Sequence, residues 1–227
     1  MGSIIIATSQ PRNRYLASTI SERLASDVRL ITRKEELSKE LLRELCPDWI
    51  FLPHWSYIVP PEIYENFRTV VFHMTDLPFG RGGSPLQNLI VRGFETTQLS
   101  AIQCQEGLDT GPIYLKEPLE LSGSAEDILR RAARIIEEMI VRIVRESPVP
   151  VPQEGEIVEF RRRKPEDSEL TGATFPDLKS VYNFIRMLDG EGYPPAFLRL
   201  GSFRMEFGNA EMQEGEIRAS VRIRRDD

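Results

Sequence analysis

The chain has 227 residues, of which 41% are hydrophobic and 28% are charged. This composition is typical of a globular protein with one large domain, or a main domain and a small appendage. Its 29 Lys and Arg against 35 Asp and Glu leave a net charge of −6, which argues against general nucleic-acid binding because phosphate affinity comes from clustered basic side chains. Two cysteines are too few for a disulfide framework. Without a membrane-length apolar run or a signal-peptide pattern, we expect a cytoplasmic protein.

Short apolar runs alternate with helical patterns in the first third of the chain. We predict strands at 4–7, 28–31, 48–52 and 69–72, and helices at 15–24, at 35–46 and after Pro60-Pro61. This alternation predicts an α/β fold with a Rossmann-like, doubly wound, mostly parallel sheet. Ligands of such sheets bind beyond the carboxyl ends of the strands, so we expect the loops at 9–13, 53–60 and 73–83 to line the site.

The second half of the chain predicts a change of architecture. We predict strands at 98–104 and 112–116, helices at 124–145 and 178–188, and alternating stretches at 196–199, 203–207 and 217–223. The proline-rich run Val149-Pro150-Val151-Pro152 and the polar stretch after it are interpreted as a linker. We therefore expect a catalytic domain at 1–165 and a small C-terminal α+β subdomain at 166–227, with an antiparallel β unit.

Two residues carry candidate chemistry. His73 follows a predicted strand, where general acid–base groups are often placed, although a structural histidine is as plausible at this stage. Asp109 lies between Gly107 and Gly111 in a predicted turn. It is either an Asx-type turn residue or a carboxylate that orients the imidazole of His73.

The spacing His73-x4-Pro78-x2-Arg81-Gly82, followed by Gly107-Leu108-Asp109-Thr110-Gly111, resembles the formyltransferase family. That family uses 10-formyltetrahydrofolate as the formyl donor. The resemblance covers residues 1–165 and continues weakly into 182–189. It implies that His73 and Asp109 are the catalytic pair of an acyl transfer to a primary amine, with no metal and no covalent enzyme intermediate.

One position departs from the family pattern. The asparagine that usually stands two residues before the catalytic histidine is Val71 here, which has no hydrogen-bonding side chain. Loss of one such oxyanion donor costs about 10²–10³ in rate in other acyl-transfer enzymes. The sequence leaves the substitute donor open among four residues: Asn13, Thr75, Gln87 and Asn88.

The resemblance also implies where the two substrates bind. For the folate donor, the expected contacts are His54, Trp55, Tyr57, Ile58, Gln103, Gln105 and Leu108, although Trp55 and Tyr57 could equally be packing residues. For the acceptor, the expected contacts are Arg12, Asn13, Thr75, Arg81, Gly82, Gly83 and Asn88. Apolar side chains would cover the pterin ring and backbone groups would bind its edge.

The acceptor is the least determined part of the prediction. The short chain and its net charge of −6 disfavour tRNA, so we expect a nucleotide-linked amino sugar. The runs at 72–78 and 82–90 resemble the sugar formyltransferases of pseudaminic-acid-type pathways, and this resemblance implies a UDP-linked 4-amino-4,6-dideoxy sugar. The alternatives are formylation of a carrier-bound aminoacyl group or of methionyl-tRNA, and a non-catalytic folate- or nucleotide-binding protein. A metal hydrolase using His54, His73 and Asp76 lacks convincing ligand spacing. We expect small-molecule partners and no membrane, and a homodimer through the C-terminal strands is left open.

Overall fold

The computed structural model describes residues 2–172 and 174–226. Its strands are β1 Ser3–Ala7, β2 Asp27–Ile31, β3 Trp49–Leu52, β4 Thr69–His73, β5 Phe79–Gly82, β6 Thr96–Gln103, β7 Ile113–Glu120, β8 Val158–Phe160, β9 Ala196–Leu200, β10 Phe203–Gln213 and β11 Glu216–Arg225. Its α-helices are α1 Leu16–Leu24, α2 Lys39–Leu45, α3 Pro61–Tyr64, α4 Pro85–Val91, α5 Ala125–Glu146 and α6 Leu178–Arg186. No helix within the described ranges is both long and apolar enough to cross a membrane.

A six-stranded sheet in the order β2-β1-β3-β4-β6-β7 forms the framework of the fold. The strands β2, β1, β3 and β4 run parallel to their neighbours, and β4 pairs with β6 in the antiparallel direction. The carboxyl ends of β1, β3 and β4 therefore share one edge, and the loops that follow them meet there. The predicted α/β fold with a mostly parallel sheet is confirmed.

The apolar character of the strands explains the sheet. Ile4, Ile5 and Ile6 are all buried, as is every residue of β3, because a parallel strand is covered by helices on both faces. The long helix α5 carries acidic residues in its first turn and a basic residue in its last, as the helix dipole favours.

The predicted helix at 35–46 is shorter in the structure. A 3-10 turn occupies Lys34–Glu36, and the α-helix begins only at Lys39. The side chain of Ser38 accepts a hydrogen bond from the backbone amide of Leu41 and so caps this helix. Ser38, which the sequence prediction placed inside a helix, is therefore the N-cap residue at which the α-helix starts.

The chain divides into two compact units. The first comprises Met1–Arg81, Gln98–Pro118 and Arg131–Glu159, and the second comprises Gly82–Thr97, Leu119–Arg130 and Phe160–Asp227. The predicted limits at 1–165 and 166–227 stay a prediction. In the second unit, α6 contacts a three-stranded antiparallel sheet of order β11-β10-β9. Strands β10 and β11 are longer than the alternating stretches predicted at 203–207 and 217–223.

The predicted linker after Val149 has defined structure. Val151 and Ile113 exchange backbone hydrogen bonds of 2.7 and 2.9 Å, and β8 pairs with β5 in a two-stranded sheet. The prolines on either side of Val151 limit pairing to this one residue, since proline has no amide hydrogen to donate. The segment is thus attached to a strand of the first unit.

Candidate active site

His73 is the last residue of β4, and only 7% of its side chain is exposed. Its Nε2 lies 2.8 Å from the carbonyl oxygen of Gly80. Because a carbonyl oxygen only accepts, Nε2 must carry a hydrogen and donate it. The loop after β4 therefore folds back to hold one side of the ring, and Nδ1 is the nitrogen that remains for chemistry.

Asp109 lies on the Nδ1 side of the imidazole, with 3.4 Å between Nδ1 and Oδ2. Its φ of 55° is left-handed, a conformation that aspartate tolerates better than most residues. Gly107 has a φ of 91°, and a Cβ on Gly111 would lie 1.7 Å from a backbone oxygen of β6. The two glycines that flank the predicted carboxylate are thus required by the turn that presents it.

The 3.4 Å between Nδ1 of His73 and Oδ2 of Asp109 exceeds the range of an ordinary N–H···O bond, about 2.7–3.2 Å. Catalytic hydrogen bonds are often long before substrate binds and shorten in the reactive complex. Oxygen atoms lie on both sides of the His73 ring, the Gly80 carbonyl at Nε2 and the carboxylate of Asp109 near Nδ1.

Val71 precedes His73 by two residues on β4 and packs against two clusters of the hydrophobic core. Of the candidate substitutes, Asn13 donates through Nδ2 to Thr8 Oγ1, to the Pro53 carbonyl and to Nδ1 of His54. The hydroxyl of Thr75 donates to the Gly80 carbonyl at 3.4 Å. Neither side chain contacts His73 through these bonds, so the question of a substitute donor stays open.

A second polar cluster lies at the carboxyl ends of β1 and β3. Nδ2 of the fully buried Asn13 lies 3.0 Å from Nδ1 of His54, and Ser9 Oγ donates to the His54 carbonyl at 2.8 Å. Burial and, to a smaller extent, the nearby Arg12 cation lower the pKa of His54 to about 4. Oδ1 of Asn13 is buried and has no hydrogen-bond partner within residues 2–172 and 174–226.

The residues predicted to bind the folate are placed differently from one another. Trp55 packs against the core and forms an edge-to-face pair with Tyr57, with ring centroids 5.2 Å apart. Ile58 and Leu108 are exposed apolar side chains, at 94% and 68%. Gln105 donates to the hydroxyl of Thr110 within the Asp109 loop, and the backbone of Gln103 contacts Gly111 and Pro112.

Two interactions that the sequence did not reveal hold the loops beside His73. Lys116 pairs with Asp76 and donates to the Leu77 carbonyl at 2.7 Å, which holds the turn after β4. Arg81 donates to Oε1 of Gln153, whose Nε2 donates to backbone carbonyls of the Asp109 loop. Gln153 lies in the predicted linker, and no local sequence pattern marks it.

Three residues predicted to contact the acceptor, Gly82, Gly83 and Asn88, lie in the second compact unit. The following contacts join them to other residues of that same unit. A Cβ on Gly82 would lie 2.5 Å from the Phe160 carbonyl oxygen, and one on Gly83 would lie 2.4 Å from Cβ of Arg162. Asn88 Nδ2 donates to three backbone carbonyls, and its Oδ1 accepts from Arg92. Among the residues described, the contacts of Gly82, Gly83 and Asn88 therefore support a structural role for these three residues.

The comparison with protein families decides what kind of enzyme this geometry belongs to. Residues 7–144 match the model described as formyl transferase, and residues 165–224 match the one described as methionyl-tRNA formyltransferase, C-terminal domain. The chain belongs to the formyltransferase family. Membership confirms the predicted family, the predicted fold and the class of enzyme, and it agrees with the folate co-substrate expected for that family.

Individual relatives carry the comparison further. A solved structure of a methionyl-tRNA formyltransferase from Clostridium thermocellum is 49% identical, has a TM-score of 0.95 and is covered over 100% of both chains. A curated methionyl-tRNA formyltransferase from Gluconobacter oxydans is 29% identical over 183 residues, 78% of this chain and 59% of the relative. The chain therefore spans less than two thirds of the curated relative's length.

These matches correct the prediction of a nucleotide-sugar acceptor, which was wrong. A structure from Mycobacterium tuberculosis titled a likely sugar N-formyltransferase is 19% identical, with a TM-score of 0.71 and coverage of 89% of this chain and 94% of that one. That likeness shows the shared fold alone. The argument from length failed because a chain of the same extent is described as a methionyl-tRNA formyltransferase.

Proposed function

We propose that this protein transfers a formyl group from 10-formyltetrahydrofolate to the α-amine of methionyl-tRNA. The observation that carries the proposal is the 49% identity to the Clostridium thermocellum methionyl-tRNA formyltransferase over the whole of both chains. The match of residues 165–224 to the C-terminal domain of such enzymes supports it, because this part lies outside the formyl transferase model.

The exposed residues beside the catalytic pair fit a folate donor. Leu108 directly precedes Asp109, and Ile58 lies in the loop after β3, and both present apolar surface to solvent. An aromatic pterin ring would cover such side chains and remove them from water. We therefore keep Leu108 and Ile58 as the donor contacts that the structure supports best, and the donor would supply the formyl carbon.

In this proposal His73 acts through Nδ1. Attack of an amine on a formyl carbon places negative charge on the formyl oxygen, and a donor aimed at that oxygen lowers the barrier. Because Nε2 is held by the Gly80 carbonyl, the ring cannot rotate without losing that bond. Nδ1–H is then directed at the side of the pocket where Asp109 also lies.

Asp109 holds the second proton position. Its carboxylate faces Nδ1 and is 14% exposed, so an approaching amine can reach it. As the new bond forms, the amine nitrogen must lose a proton, and a nearby carboxylate can accept it. The tetrahedral adduct then collapses: the bond between the formyl carbon and N10 of the folate breaks, N10 takes up the proton that Asp109 accepted, and tetrahydrofolate leaves.

The proposal is tested by incubating the purified protein with 10-formyltetrahydrofolate and each class of acceptor in turn. Methionyl-tRNA should gain one formyl group, detected by mass spectrometry of the released aminoacyl adenosine. A UDP-linked amino sugar and a carrier-bound aminoacyl group serve as comparison acceptors. Formylation of either comparison acceptor, with none of methionyl-tRNA, would refute the proposal.

A further inference from the structure

We propose that Gln153 is a positioning residue that holds Asp109 and the Gly80–Arg81 backbone in one arrangement around His73. The inference rests on the proposed function, since it concerns the same catalytic pair. It assigns a role to a segment that the sequence suggested was only a linker.

The carboxamide of Gln153 uses its full hydrogen-bonding capacity. Nε2 donates to the carbonyls of Asp109 and Gly111, both at 2.8 Å. Oε1 accepts from Nη2 and Nε of Arg81 at 2.8 and 3.1 Å. Carbonyls only accept and a guanidinium only donates, so a single orientation of the amide satisfies all four bonds.

The segment that carries Gln153 is attached on both sides of this residue. Two residues earlier, Val151 pairs with Ile113 at the start of β7. Five residues later, the amide of Val158 donates to the carbonyl of Pro78 in the loop after β4. The glutamine thus lies between two anchors, one beyond the Asp109 turn and one within the loop that holds His73.

The Asp109 turn needs such support because its backbone is strained. A non-glycine residue at a φ of 55° is in a sparsely populated backbone region, and it persists where its surroundings enforce it. Nε2 of Gln153 binds the carbonyl of this same residue and that of Gly111 two positions later. Removing the donor would release the turn toward an ordinary φ and rotate the carboxylate.

The other half of the carboxamide acts on the histidine side. Arg81 directly follows Gly80, whose carbonyl holds Nε2 of His73. Fixing the Arg81 side chain limits movement of this backbone. One amide therefore connects the acceptor of Nε2 with the carboxylate that faces Nδ1, and it sets the imidazole between them.

The decisive variant is Gln153→Glu. It keeps the shape of the side chain and the contact with Arg81, but it replaces the donor with an oxygen that repels the carbonyls of Asp109 and Gly111. We expect kcat to fall about 100-fold, as for a misplacement of about 1 Å, with little change in KM for either substrate. Gln153→Ala, which leaves room for water, gives the same comparison without a new charge. Gln213→Glu is the matched control, because Gln213 is exposed and lies in the C-terminal hairpin.

A second readout does not depend on turnover. The chain has only two histidines, so ¹⁵N-labelled protein gives two sets of imidazole resonances, and a His54→Gln sample assigns them. In Gln153→Glu and Gln153→Ala, the resonances of His73 should move while those of His54 stay, which also shows that the variants are folded. Unmoved His73 resonances in both variants, at any kcat, would overturn the inference. Absence of methionyl-tRNA formylation by the wild type would refute the proposed function, and the NMR comparison would still decide on Gln153.

Discussion

Two glycine-rich loops of this protein were both predicted to serve the site, and they use their polar groups in different ways. In the first, Gly82 and Gly83 allow close approach to residues 160–162, and Asn88 of the following helix α4 is bonded to backbone carbonyls and to Arg92. In the loop 106–111, the glycines build a turn whose aspartate faces a histidine instead.

The difference lies in where the hydrogen-bonding capacity is used. Asn88 directs every donor and its acceptor to groups of its own unit, so it stabilises a local backbone arrangement. In the other loop, backbone carbonyls are bound by Gln153, and the carboxylate stays directed at Nδ1 of His73. In this protein, the carboxylate that faces His73 belongs to the loop whose backbone carbonyls are bound by another side chain.

The largest expected effect comes from removing the pair itself. His73→Ala and Asp109→Asn should each lower kcat by about 10²–10⁴, the usual contribution of a positioned acid or base. The measurement is single-turnover formylation of methionyl-tRNA with saturating donor. Lys179→Met, which removes an exposed ion pair with Glu95, is the control variant and should keep the wild-type rate. Wild-type rates in both substitutions would remove the proposed roles of the pair.

The sequence predicted the general fold because its signals are local. The run Ile4-Ile5-Ile6 is apolar enough to identify a strand covered on both faces, and the strand before His73 followed from the same kind of pattern. The pairing of His73 with Asp109 came from motif spacing and the family resemblance, and the structure places the two side chains 3.4 Å apart.

The parts that could not be predicted depend on contacts distant in sequence. Gln153 reaches Asp109 across 44 residues and Arg81 across 72, and a glutamine in a proline-rich stretch carries no signal of either bond. Asn88 was selected for its side chain, but only its three carbonyl partners reveal that this side chain is occupied. The prediction of a nucleotide-sugar acceptor was wrong because chain length and net charge do not determine what a pocket binds.

The cluster of Asn13 and His54 adds a third case, since its two side chains are hydrogen-bonded to each other and one of them, His54, titrates. Burial lowers the pKa of His54 to about 4, below its ordinary value near 6.5 in the unfolded chain. The unfolded chain binds more protons between these two values, so the free energy of unfolding should fall by about 3 kcal/mol as pH drops from 6.5 to 4. Urea unfolding across this range measures the slope, and His54→Gln should flatten it. Equal slopes in wild type and variant would contradict the burial of an uncharged ring.

The role of Gly111 in the Asp109 turn can be tested directly. In Gly111→Ala the new Cβ would lie 1.7 Å from the Gln103 carbonyl oxygen, so the backbone beside Asp109 must move. We expect kcat to fall about 100-fold, with a loss of stability of about 1–3 kcal/mol. Gly190→Ala, whose Cβ would lie 3.2 Å from Ala125, is the matched control. A Gly111→Ala enzyme with wild-type kcat would show that the turn tolerates displacement.

The smallest effect is expected at Asn88, and it decides whether this residue is structural. Asn88→Ala leaves the carbonyls of Gly83, Ser84 and Arg161 without their shared donor. Buried acceptors that lose a partner cost about 1–3 kcal/mol, so the thermal midpoint should fall. Because the bonds of Asn88 lie within its own unit, kcat of the folded variant should fall far less than in Asp109→Asn. A loss of kcat as large as that of Asp109→Asn, with an unchanged midpoint, would instead return Asn88 to the acceptor site and remove the contrast between the two loops.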